Sequence, residues 1–314
     1  GTRISAGAGS EDGARGVGLR SVETQAESGA DAVVDRMVAL VEGVILDAMH
    51  EAGAQRSDFR GIGIGAPGPL DREQGLVIIA PNLGWRDFPL RDRVSARLGL
   101  PATLDNDANC ATVGEWWLGA ARGARNVVGI TIGTGIGGGL ILNGELYHGS
   151  SDVAGEIGHT TIDVNGRLCK CGNYGCLEAY ARGPAIATRA REALVREDTA
   201  SILPSMVNGH LDKVTAELVY QAAKKGDALA NEIVRDTARY LGAGIATLLN
   251  VLNPDVVVVA GGVTHAGEAL FGPLRTEVRR RAFKPAVEAV RIVPAELPGT
   301  VGVVGAVKTF MMAQ

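Results

Sequence analysis

One histidine and three cysteines fall within the eighteen residues from His159 to Cys176, and this stretch constrains the fold more than any other. Imidazole plus three thiolates is a complete tetrahedral shell for zinc. His159, Cys169, Cys171 and Cys176 are therefore expected to hold a structural Zn2+ with no position left open for catalysis. A disulfide reading is weaker. Three cysteines within eight residues cannot all pair among themselves, and Cys169 and Cys171 are poorly placed to bridge. A secreted disulfide scaffold would be shorter and richer in cysteine. Cys110, in a helical stretch, reads as a small buried apolar residue. Glu156 and Glu178 flank the metal loop and are not needed as ligands. A metal there would fix where both carboxylates point.

At 314 residues, 46% hydrophobic and 21% charged, the chain is long enough for two soluble α/β domains. No apolar run reaches membrane-spanning length. No amino-terminal signal pattern is visible, and thiolate ligands favour a reducing compartment, so cytoplasm is expected. The net charge is −4, and the short run Arg279-Arg280-Arg281 reads as a solvated helix end. Nucleic-acid binding is not expected. Glycine is frequent, 44 residues, and gathers at strand ends, where backbone can approach a ligand closely.

Apolar periodicity predicts a helix over 32–51, with strands at 4–7, 61–65 and 101–104. Asp105-Asn106-Asp107 opens a helix running toward Leu118, with Asp105 or Asp107 as its cap. Strands at 127–132 and 140–142 flank a glycine turn over 133–139. Helices follow at 180–196, 216–225 and 228–252. A buried strand at 256–260 ends in Gly261-Gly262. A strand near 290–293 and a helix from 301 finish the chain. Alternating strands and helices give an α/β class.

Gly133-Thr134-Gly135 and Gly261-Gly262 each follow a strand and can present bare N–H groups to a phosphate or nucleotide. Gly133 to Gly138 has the dinucleotide spacing, but strand rather than helix follows it. A tight hairpin is the plainer reading of that turn. In the 105–109 cluster, one Asp is placed to serve as general base toward a hydroxyl, and Asn106 offers both a donor and an acceptor. Asp107, Asn106, Glu156, His159 and Glu178 together suit a sugar, whose neighbouring hydroxyls each need a partner.

Glu156-x-Gly158-His159, followed by Cys169-x-Cys171-Gly172-x-x-Gly175-Cys176-x-Glu178, resembles the ROK family of sugar kinases and sugar-responsive repressors, especially its bacterial glucokinases. Gly65-Ala66-Pro67-Gly68-Pro69, Asn82-Leu83-Gly84-Trp85, Asp105-Asn106-Asp107-Ala108-Asn109, Gly133 to Gly139 and Ala260-Gly261-Gly262-Val263 extend the likeness over essentially the whole chain. The resemblance implies an actin-like, ribonuclease-H-like ATPase fold of two α/β domains with a cleft between them. A division into residues 1–108 plus 300–314 and residues 109–299 is expected. It implies Asp107 as catalytic base, and Asn106, Glu156, His159, Glu178, Gly68 and Asn82 at the sugar. It implies ATP and Mg2+ cradled by Gly1, Thr2, Gly133, Thr134, Gly135, Gly261 and Gly262, with Zn2+ on His159 and the three cysteines. Glucose or mannose would be phosphorylated on the 6-hydroxyl.

Family members begin with a strand and an Asp-x-Gly-Gly-Thr phosphate loop, and this sequence opens inside that loop. Loss of the strand would leave an unpaired sheet edge, so Gly1 reads as a truncation. Two rival readings remain at this stage. One is a sugar-responsive repressor of the same family, whose DNA-binding segment would precede these residues. The other is a zinc hydrolase, disfavoured by four protein ligands. Apolar residues around the helix at 238–252 exceed one face, and the resemblance also implies a homodimer or homotetramer. Light scattering at assay concentration is expected to give at least a dimer mass; a monomer mass would exclude that state.

Overall fold

The computed structural model describes residues 3–14, 16–196, 200–297 and 299–314. The chain begins with β1 (Arg3–Gly9), β2 (Gly16–Glu23), α1 (Ala30–Glu51), β3 (Ile62–Ala66), β4 (Leu70–Asp71), β5 (Leu76–Ala80) and β6 (Trp85–Phe88). Then come α2 (Leu90–Leu98), β7 (Ala102–Asn106), α3 (Asp107–Leu118), β8 (Val127–Ile132), β9 (Ile136–Leu142) and β10 (Glu145–Leu146). The helices α4 (Glu178–Ala181), α5 (Gly183–Arg196), α6 (Leu203–Met206), α7 (Ala216–Lys224) and α8 (Ala228–Leu252) follow. β11 (Val256–Ala260), α9 (Glu268–Arg281), α10 (Lys284–Ala289), β12 (Arg291–Pro294) and α11 (Val301–Met312) complete the order.

The chain divides into two compact units. One comprises Gly1–Gly123, Gly139–Gly155 and Glu296–Gln314; the other comprises Ala124–Gly138 and Glu156–Ala295. In the first, β1 pairs antiparallel with β2, and β3 pairs parallel with β7. Among the described residues β1 pairs only with β2, and β3 only with β7. β1 and β3 line a cavity of about 1170 Å³, together with Val33, Met37 and Val44 of α1 and Val303 and Phe310 of α11. The antiparallel sheet β4-β5-β6 was not legible as strands, because β4 has only two residues and neither β5 nor β6 alternates apolar with polar residues. It is held by burial of Val77, Trp85 and Phe88, the two rings stacking at 4.5 Å between centroids.

Close packing of α3 on α11 depends on glycine. A methyl group at Gly305 would lie 1.6 Å from the Cys110 carbonyl oxygen, and one at Gly114 would lie 2.4 Å from that of Val301. Backbone atoms cannot yield as a flexible side chain can. Gly305→Ala is therefore expected to destabilise the protein by ~1–3 kcal/mol or more, read as a fall in Tm by calorimetry. A wild-type Tm would refute this account of the crossing. Glu115 is also buried here, and its carboxylate accepts N–H groups from Ala120, Glu296 and Leu297 at 2.9–3.0 Å. Those bonds tie the approach to α11 onto α3 without any cation.

The five-stranded sheet has the order β10-β9-β8-β11-β12, with β11 parallel to both β8 and β12. Val256 to Val259 of β11 are all buried, as a continuous valine run in a parallel strand requires. β9 starts at Ile136, so the glycine turn is confined to Gly133–Gly135, and Gly137–Gly139 belong to the strand. α8 packs against α5, α7 and α9, which bury Ala238, Leu241, Ile245 and Leu249. Much of the apolar excess on this helix is thus buried within the chain, although Val251 stays exposed. Among the described residues no helix is long and apolar enough to cross a membrane.

Candidate active site and metal centre

β7 ends at Asn106 and α3 begins at Asp107, so the polar cluster lies where a strand hands over to a helix. The cap is Asn106, not either aspartate: its Oδ1 accepts the N–H groups of Ala108 at 2.8 Å and Asn109 at 3.4 Å. An amide oxygen suits that position without adding a charge. This occupies the acceptor that the sequence left available for a sugar. The Asn106 Nδ2 remains as a donor, 3.5 Å from the Gly68 carbonyl oxygen. Gly68 has φ +92, and a methyl group there would lie 2.2 Å from the Ile79 oxygen, so only glycine brings this carbonyl so close. Asn82 is exposed, in the short turn before β6.

The two aspartates that bracket Asn106 sit in opposite environments. Asp105 is 3% exposed. Burial alone would raise its pKa, but His148, Asn109 and Arg72 together hold it below the ordinary aspartate value. Asp107 keeps surface open to solvent, yet protein atoms crowd round its carboxyl, and that desolvation raises its pKa. Among the described residues no lysine, arginine or histidine side chain counters the shift.

In the second unit the side-chain ligand atoms of His159, Cys169, Cys171 and Cys176 all lie within 4.8 Å of one another. Cys169 Sγ is 3.7 Å from His159 Nδ1, and Cys171 Sγ is 3.7 Å from Cys176 Sγ. Bond lengths of about 2.0–2.3 Å and tetrahedral angles put ligand atoms about 3.5–3.8 Å apart, so the set fits zinc. Cys169 and Cys176 are buried and Cys171 is exposed. The Nδ1 of His159 faces the sulfurs, which leaves Nε2 pointing away, 4.0 Å from Glu156 Oε2. Glu178 opens α4 two residues after Cys176. Its Oε2 accepts the Ile136 N–H at 2.9 Å, and Arg182 Nη1 is 3.9 Å from its Oε1. The carboxylate thereby joins the cysteine loop to the glycine turn.

That turn is closed by Gly133 N–H on the Gly135 carbonyl and Gly183 N–H on the Gly133 carbonyl, both at 2.9 Å. A methyl group at Gly133 or Gly262 would meet nothing within 4 Å. The fold does not itself demand glycine at these two positions. Gly261 differs: with φ +104 its methyl group would lie 2.0 Å from the Ile132 oxygen. Thr134 lies in the same turn as Gly133, whereas Gly1 and Thr2 lie outside the described residues.

The model of the ROK family matches residues 20–312. The chain belongs to the ROK family. It is 43% identical over 251 residues to a glucokinase of Halalkalibacterium halodurans, covering 80% of this chain and 76% of that protein. A crystal structure of a ROK family glucokinase from Streptomyces griseus, in complex with glucose and AMPPNP, superposes with a TM-score of 0.83 at 36% identity. That likeness covers 98% of this chain and 96% of the other. The xylose repressor of Caldicellulosiruptor bescii is 33% identical over 79% of this chain but only 62% of its own length. The fold is therefore the actin-like ATPase fold of ROK proteins.

Sequence reasoning found the cysteine and aspartate clusters of this ROK chain but missed the partners of Asp105. His148 lies forty-three residues away in sequence, and Arg72 follows β4. No local pattern links them. The only sequence signal was an aspartate at a strand end with no role of its own.

Proposed function

We propose that the chain is an ATP-dependent hexose kinase of the glucokinase type, with Asp107 as general base toward the sugar 6-hydroxyl. One observation supports the assignment of the base. Asp105 is buried and committed to Asn106, Asn109, His148 and Arg72, whereas Asp107 opens α3 exposed and outside the helix cap. The two pKa values move apart accordingly, Asp105 down and Asp107 up. Such a split separates an anchored, permanently ionised group from one able to take a proton. Asp107 accepts the hydroxyl proton as the sugar oxygen bonds to the γ-phosphorus and the bond to the departing ADP oxygen breaks. Alignment and charge stabilisation supply most of the rate.

The Asn106 amide donates to a sugar hydroxyl, since its oxygen is committed to the helix cap. Glu156, His159 and Glu178 hold further hydroxyls, and Gly68 and Asn82 border the sugar. Zinc on His159, Cys169, Cys171 and Cys176 supplies rigidity. It leaves the His159 Nε2 to serve the sugar or Glu156. Gly133, Thr134, Gly135, Gly261 and Gly262 receive the nucleotide. The open space beside Gly133 and Gly262 supports this, because close approach of a ligand explains glycine where packing does not. Magnesium bound with ATP would supply charge neutralisation at the phosphates.

A coupled kinase assay across hexoses and phosphoryl donors tests the reading. ATP-dependent phosphorylation of glucose is expected, and no turnover with any hexose would refute it. The pH profile follows from the two shifts. The base works only when ionised, so kcat/KM is expected to fall as pH drops through an apparent pKa above the ordinary aspartate value of 3.8. Asp105 acts on stability, and also at low pH. Its folded pKa is depressed, so its share of stability is present above the unfolded value and disappears as pH falls through the folded one.

A further inference from the structure

We infer that His148, acting through Asp105, is a positioning residue for Asn106 and Asp107. The inference rests on the reading of Asp107 as the base. It starts from how the Asp105 carboxylate divides its contacts. Oδ1 accepts the Asn106 backbone N–H at 2.8 Å and the Asn109 Nδ2 at 2.9 Å, so this oxygen holds the first turn of α3. Oδ2 lies 2.9 Å from His148 Nε2 and 3.3 Å from Arg72 Nε. The second oxygen is thus hydrogen-bonded by His148 and faced by the Arg72 charge, at ion-pair distance but without a hydrogen bond from Nε.

A carboxylate is planar and rigid, so anchoring one oxygen fixes the other. An ionised carboxylate only accepts, so His148 must carry a proton on Nε2. Arg72 is itself fixed, with its N–H 3.2 Å from Asp152 Oδ2 and its Nη1 3.5 Å from Asp152 Oδ1. Removing the His148 donor leaves a buried oxygen short of a strong partner. The carboxylate then turns toward Arg72, and Oδ1 turns with it. Asn106 and Asp107 are the next two residues of the backbone, so both move. A misplacement of about 1 Å is enough to cost ~10²-fold in rate.

The test compares His148→Leu, which removes the donor, with His148→Gln, whose amide nitrogen sits at nearly the same reach as Nε2. His148→Leu is expected to lower kcat for glucose ~10- to 100-fold while KM for ATP stays within about twofold. His148→Gln is expected to recover most of kcat. Wild-type kcat in His148→Leu overturns the inference, as does His148→Gln no better than His148→Leu. So does a deficit that vanishes once the assay is cooled until circular dichroism shows full folding, which would mark a purely structural role. Should His148→Leu fail to fold, His148→Asn replaces it, because its amide is too short to reach Asp105. Asp107→Asn is measured alongside. Full activity there refutes the base, whereas an inactive Asp107→Asn beside a wild-type His148→Leu refutes only the role of His148.

Discussion

Asp107→Asn is expected to reduce kcat by at least ~10²-fold, the usual scale for loss of a general base. The fold and much of the sugar affinity should remain. Asparagine keeps the size of the side chain and can still bond a hydroxyl, but it cannot take a proton. Asp107 is also not part of the packing that holds α3. The cap is Asn106, and the buried anchor is Asp105, which bonds Asn106 and Asn109. Circular dichroism and calorimetric glucose titration separate folding and binding from chemistry. A variant with wild-type kcat would show that another group is the base. A variant that loses glucose affinity as sharply as kcat would make Asp107 a binding residue.

The second large effect is expected from Cys171→Ser. Cys171 is exposed, so the substitution removes a thiolate without opening a core cavity. Metal should be lost, and with it the constraint on the loop from Cys169 to Cys176. The Cys169–Asn173 side of the loop is held by only two backbone bonds, Cys169 N–H to Asn173 O at 2.8 Å and Gly172 N–H to Cys169 O at 3.0 Å. Its far end is also tied by Gly175 N–H to Arg167 O and Ile162 N–H to Gly175 O, both at 2.8 Å, and by a bridge between Thr161 and Cys176. His159 contributes directly to the cluster, and Glu178 follows Cys176 by two residues. Glucose affinity is therefore expected to collapse, although the substituted residue is not proposed to touch sugar. Nucleotide affinity is expected to fall much less than glucose affinity, because the Gly133–Gly135 turn keeps its internal bond and the one from Gly183 even if Glu178 releases the Ile136 N–H. Metal content by mass spectrometry, with glucose and ATP-analogue affinities by calorimetry, forms the paired measurement. Normal glucose binding without metal would make the zinc incidental to the site. Equal loss of ATP binding would instead indicate global unfolding.

The residues legible in the sequence were those whose chemistry is local. Three cysteines and a histidine at close spacing announce a metal shell, and the structure gathers them within 4.8 Å. The helix at 228–252 and the valine strand at 256–260 were plain because long periodic or β-branched runs have few alternatives. The β4-β5-β6 sheet escaped because β4 has only two residues and β5 and β6 show no apolar–polar alternation to detect. The extent of the glycine turn was misjudged for a related reason. Glycine is permissive, so Gly137–Gly139 could belong to turn or strand until pairing in the sheet decided it.

The site divides in the same way. By its own composition the sequence determined that one histidine and three cysteines able to form a metal shell lie between two carboxylates, and that Asp105, Asn106 and Asp107 crowd one strand-to-helix junction. It did not determine which aspartate is which. Both are carboxylates two residues apart, and their intrinsic acidities are the same. Tertiary structure separated them by bringing His148 and Arg72 onto Asp105 and leaving Asp107 crowded by protein without a side-chain cation. The resemblance implied Asp107 as the base, but how far solvation and nearby charge separate the two acids is set only by the folded chain.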